Sequence, residues 1–116
     1  MKKTIFIIAI LNSLYANEAD VLNVVADCDT HRNCSFSVTI KHNDAGWKHY
    51  VNKYEIASPS GVILGTRVLL HPHVNEQPFT RSLYDLKIPK GIRSVTVRAY
   101  DSVHKFEGKE FTLKLF

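Results

Sequence analysis

The sequence predicts an all-β protein, an immunoglobulin-like antiparallel sandwich of about seven strands. Three observations predict it. Beyond the first 19 residues, no stretch carries the 3.6-residue period of an amphipathic helix. Short runs alternate apolar and polar residues, the period-two pattern of half-buried strands. Turn residues separate those runs at close, regular intervals. A small β-barrel is the alternative closure of the same strands.

Residues 1–19 read as a secretory signal peptide. Lys2 and Lys3 give a positive start, and a continuous apolar run follows from Ile5 to Leu11. "LYANEA" then offers cleavage after Ala16 or Ala19. The apolar run is too short to span a bilayer, which needs about 20 residues. Neither cysteine follows it in a lipobox-like context, since Asp27 precedes Cys28. A single domain, residues 20–116, is expected in the periplasm or outside the cell, with no membrane insertion once the leader is gone.

The first predicted strand, β1, covers about 21–27. The β2 pattern, 34–42, is the clearest: in "CSFSVTIKH" Cys34, Phe36, Val38, Ile40 and His42 share one face. Strand β3 is placed at 49–57 and β4 at 62–70, separated by the turn "SPSG". β5 covers 79–88 and ends at "IPKG". β6, 93–101, aligns Val95, Val97 and Ala99 with Asp101. After "KFEG", β7 covers 109–115 and puts Phe111, Leu113 and Leu115 on one side.

Charge is uninformative about partners. Residues 20–116 keep 13 Lys+Arg against 10 Asp+Glu, scattered along the chain. That gives no basic stripe, so nucleic acid is not an expected partner. The two cysteines, Cys28 and Cys34, enclose a polar, turn-like "DTHRN". In an exported chain such a pair reads as a disulfide. They cannot bridge β2 to β6, so the antibody-type signature is missing.

Histidine carries the functional signal. Six histidines are unusually many for a domain of this size. In an antiparallel sandwich successive loops alternate between the two ends. His31 falls at the disulfide end, in the β1–β2 loop. His42 and His49 flank the β2–β3 loop, His71 and His73 open the β4–β5 loop, and His104 sits in the β6–β7 loop. Those three loops share the opposite end. His42 and Asp101 each continue the inward parity of a strand, so they should lean toward each other at the rim of the core. His71 precedes Pro72, which favours extended backbone and would point His71 and His73 the same way.

The expected metal ligands are therefore His71, His73, His42, His104 and His49, with Glu76 or Asp101. Imidazole and carboxylate together suit copper(II) or zinc. Blue copper is excluded because no cysteine lies at that end. C-x-x-C-H, H-E-x-x-H and phosphate-binding glycine loops are all absent. A non-metal recognition module is the alternative, with Trp47, Tyr50, Arg67 and Arg81 as a surface for an unknown protein or small ligand. A hydrolase built on Ser82 or Ser102 lacks any nucleophile motif. Catalysis is not expected.

The stretches "HNDAGWKHYVNKYEI", "RVLLHPHVNEQPFTRSL" and "VRAYDSVH" together resemble an uncharacterised family of small exported bacterial proteins, chiefly through the HPHxNEQPFTRSL-type motif. The resemblance implies export and a compact β domain. It carries no activity or ligand set onto these residues.

Overall fold

A computed structural model describes residues 18–44 and 46–116. The expected leader lies outside these residues, apart from Glu18 and Ala19. Seven strands form: β1 Asp20–Cys28, β2 Asn33–Lys41, β3 Val51–Ala57, β4 Ile63–Val68, β5 Phe79–Lys87, β6 Ser94–Asp101 and β7 Phe111–Lys114. They make two antiparallel sheets, ordered β1-β2-β5 and β4-β3-β6-β7. The sheets do not close on each other, so the fold is a sandwich rather than a barrel.

Parity builds the core. Cys34, Phe36, Val38 and Ile40 of β2 are buried, and Val95, Val97 and Ala99 of β6 face them from the other sheet. Tyr54, Ile56, Phe79 and Ile88 fill the space between. Each large apolar side chain buried in this way contributes about 1.5–3 kcal/mol. The Tyr54 hydroxyl donates to the Arg81 carbonyl at 3.0 Å, which ties β3 to β5 across the layers. Burial raises the pKa of that phenol, so it remains a donor.

The strand ends differ from the sequence reading where loops hold the chain in other ways. β3 starts at Val51 rather than 49. The His49 N–H donates to the Gly46 carbonyl at 3.2 Å and closes a turn instead. Gly46 takes φ +91°, a conformation that favours glycine. β4 ends at Val68, so His71 and His73 follow the strand in irregular chain.

The disulfide joins Cys28 to Cys34 and closes the β1–β2 turn. At the opposite corner Ala19 is 1% exposed, and a Cβ on Gly108 would lie 1.8 Å from its carbonyl oxygen. Only glycine permits that approach. Val21 donates to the Lys109 carbonyl beside it at 2.8 Å.

Candidate metal centre

A polar residue just past β2 and another at the end of β6 keep the buried parity of their strands. His42 follows Lys41 and is 2% exposed, and Asp101 ends β6 at 0%. Across the sandwich His42 Nε2 lies 2.7 Å from Asp101 Oδ2. The turn at Gly46 brings His49 to the same oxygen, with its Nε2 at 3.0 Å. The two Nε2 atoms are 3.3 Å apart. His104, three residues past Asp101, places Nδ1 2.9 Å from Oδ2 as well.

The two loops that carry these rings are laced together. Tyr50 N–H donates to Ser102 Oγ at 3.1 Å, and Ser102 N–H donates to the Tyr50 carbonyl at 3.0 Å. Asp101 and Lys105 exchange backbone hydrogen bonds of 2.9 and 2.8 Å and close the turn holding His104. Rigid supports of this kind fix ligand positions.

Behind His42 sits Asp44, a buried carboxylate. His42 Nδ1 contacts Asp44 Oδ1, and Asp44 Oδ2 accepts from the His73 N–H at 2.6 Å. An imidazole whose second nitrogen meets a carboxylate is the usual outer support of a metal-bound histidine. Gln77 completes the frame: its Oε1 accepts from the His42 N–H at 2.9 Å, and its Nε2 donates to the His73 carbonyl at 2.9 Å.

Asp101 is oversubscribed. Oδ1 already accepts from Val103 N–H at 2.7 Å and His104 N–H at 3.3 Å. Three ring nitrogens then crowd Oδ2. Five contacts meet a carboxylate with about four lone-pair sites. A cation between the ring nitrogens and Oδ2 resolves the excess, because metal coordination replaces N–H donation. The 3.3 Å between the two Nε2 atoms suits such an ion, whereas the 2.7 and 3.0 Å to Oδ2 are hydrogen-bond distances that an ion would widen. Zinc–nitrogen bonds of about 2.0–2.1 Å place tetrahedral ligands roughly 3.3 Å apart.

The charges follow from this geometry. Burial pushes the Asp101 acid up, but the Val103 N–H and the His104 and His49 rings outweigh it and hold the pKa at about 2. Burial likewise opposes charge on His42, yet its contacts with Asp44 and Asp101 raise its pKa above 6.5. Asp44 is lowered, its burial offset by His42 and the His73 N–H. His42 thus meets a carboxylate at each ring nitrogen.

Not every expected ligand joins this group. The sequence points His71 and His73 the same way and makes both ligands, and their environments prove different. His71 is exposed, with Nδ1 3.4 Å from the Pro72 carbonyl. His73 is 5% exposed and stacks on Phe79 at 3.9 Å between ring centroids. Its Nδ1 lies 3.5 Å from Asp44 Oδ2, and burial lowers its pKa. The rings of His71 and His73 are still 5.4 Å apart. Glu76 is exposed and pairs with Arg81 at 2.7 Å, which lowers the pKa of its acid.

The alternative surface also divides. Trp47 is 68% exposed and meets Tyr50 edge-on beside the centre. Arg81 is engaged with Glu76, while Arg67 lies on β4 opposite Tyr54 of β3. The two serines have other partners: Ser82 Oγ bonds Ser37 Oγ, and Ser102 Oγ donates to the Lys48 carbonyl. Asp44 is the functional residue that the sequence reading missed. Its signal was present, since "HND" puts it on the same parity as His42.

The chain is thus an antiparallel β-sandwich with a buried His/Asp cluster compatible with metal binding. It is similar to a protein of Halomicrobium mukohataei described as a "putative lipoprotein", with 36% identity over 98 residues. The match covers 84% of this chain and 48% of that protein, so the chain spans about half the length of its relative. No family model matches the chain, and no solved structure matches it.

Proposed function

We propose that this chain is an exported β-sandwich protein that binds a transition metal, zinc or copper(II), through His42 Nε2, His49 Nε2 and Asp101 Oδ2. The crowding of three imidazole nitrogens on one buried carboxylate oxygen carries the reading. Asp44 holds the back of His42, as outer carboxylates do in metal sites. The signal-like leader supports export to the periplasm or beyond. The relative's lipoprotein description supports an exported or membrane-anchored setting.

Calorimetry on metal-free, tag-free protein tests this. One zinc or copper(II) ion per chain is expected, with His71→Ala binding as the wild type does. Binding no tighter than about 100 µM, roughly −5.5 kcal/mol, overturns the reading. Exposed Trp47 favours a second one, a recognition module beside the same loops. Capture of a partner that survives chelator and is lost in Trp47→Ala would support it instead.

A further inference from the structure

We infer that a metal at this centre keeps one coordination position open, and that the position takes a small, free carboxylate-type anion. The inference rests on the metal-binding reading above and gives its centre a ligand class.

Ligand count is the first support. Among the described residues, the donor atoms that lie within 4.8 Å of one another come from His42, His49 and Asp101 alone. His104 falls outside that set, although its Nδ1 is 2.9 Å from Asp101 Oδ2. It is placed to hydrogen-bond the metal's carboxylate rather than to bind the metal. Zinc with three protein ligands holds a fourth, exchangeable one.

Exposure gives the open side a direction. The side chains of His42 and Asp101 are 0% exposed, whereas those of His49 and His104 are 23% and 30% exposed. The back of the centre is sealed by Asp44, itself 0% exposed. An incoming ligand therefore reaches the metal past His49 and His104.

Charge selects the ligand. A divalent ion beside Asp101 is also felt by Asp44 behind His42, so the ion and the two buried acids together come to about zero charge, and the loops decide the sign. The loops at 46–50 and 102–107 add Lys48 and Lys105, both exposed, against one exposed acid, Glu107. The carboxylates of the cluster are buried and already engaged. Two lysines against one acid on this side favour an anion over a cation as the incoming ligand. Binding is ligand exchange: the anion's oxygen replaces a water on the metal, and nothing is oxidised or reduced.

Cobalt(II) provides the readout, because its visible bands report coordination. Full-length metal-free protein is loaded with cobalt(II) and titrated with azide, then with acetate. A saturable band shift is expected, with a Kd of roughly 1 mM or tighter. Acetate should compete with azide, and His71→Ala, which lies outside the centre, should retain the response. Bands unmoved by anion at about tenfold that concentration overturn the inference. So does a response that appears only in His104→Ala, which would make His104 the fourth ligand. Bands that change on dilution without anion also overturn it, since a neighbouring chain's side chain would then fill the position. Failure to take up cobalt(II) or zinc at all is a different result, and it removes the metal reading itself.

Discussion

At the disulfide end, polar side chains close backbone. Asp29 Oδ1 accepts from the His31 and Asn33 N–H groups at 2.8 and 2.9 Å. Arg32 donates to the carbonyls of Ile88, Pro89 and Ile92 and lies over the Phe116 ring at 4.1 Å. Donors and acceptors match there, and a covalent bridge adds to them. At the histidine end the match fails. Three imidazoles compete for one buried oxygen, and two buried acids flank one ring. The same sandwich thus has one end where polar groups pair to close the fold and another where ring nitrogens outnumber the acceptor they share. Surplus donors on a buried acceptor, rather than a count of histidines, distinguish the second end.

The largest expected effect separates the two ends directly. His49→Ala removes a partly exposed ligand and should weaken zinc binding at least 100-fold, about 2.7 kcal/mol. Metal-free stability should change by less, about 1 kcal/mol, because His42 and His104 still meet the Asp101 oxygen. Calorimetry and chemical denaturation together read both numbers. Unchanged affinity would show that the ends do not differ in this way.

Replacing Cys28 and Cys34 by Ala should show the reverse pattern. Opening so short a ring costs roughly 2 kcal/mol of stability. Zinc affinity, measured below the lowered Tm, should stay within about twofold, since distant sites act independently. A tenfold loss would mean that the two ends are coupled.

Asp44→Asn is expected to weaken zinc binding by about 10-fold or more, as removal of outer carboxylates does elsewhere. Equal affinity in this variant would make Asp44 a purely structural brace.

pH sharpens the comparison further. The raised pKa of His42 gives stability that is complete below about pH 6.5 and is lost as pH rises through the folded value. The lowered acids act oppositely: their contribution is present above about pH 4 and is lost as pH falls, toward about 2 for Asp101. The Tm of metal-free protein should therefore decline from pH 6.5 to 9. With zinc present that decline should shrink or reverse, because deprotonation favours metal binding. Equal declines with and without zinc, followed by scanning fluorimetry, would argue against a shared site.

Much of this was legible in the sequence. The alternation in "CSFSVTIKH" and "RSVTVRAYD" fixes which residues face inward, and its continuation brings His42 to Asp101. Loop alternation brings His49 and His104 to the same end. Local periodicity could not place His71 and His73, because the chain leaves the strand at Val68. Their separation comes from tertiary contacts, the stacking on Phe79 and the acceptor at Asp44. Asp44 itself lies past the end of β2, where parity no longer holds by right. Its role depends on the N–H group of His73, which no local pattern announces.

The central claim concerns atoms, and a crystal structure of zinc-loaded protein tests it at that level. The account expects one anomalous peak, about 2.0–2.1 Å from His42 Nε2, His49 Nε2 and Asp101 Oδ2. A peak on His71 and Glu76, or no peak beside Asp101 at full zinc occupancy, would contradict it.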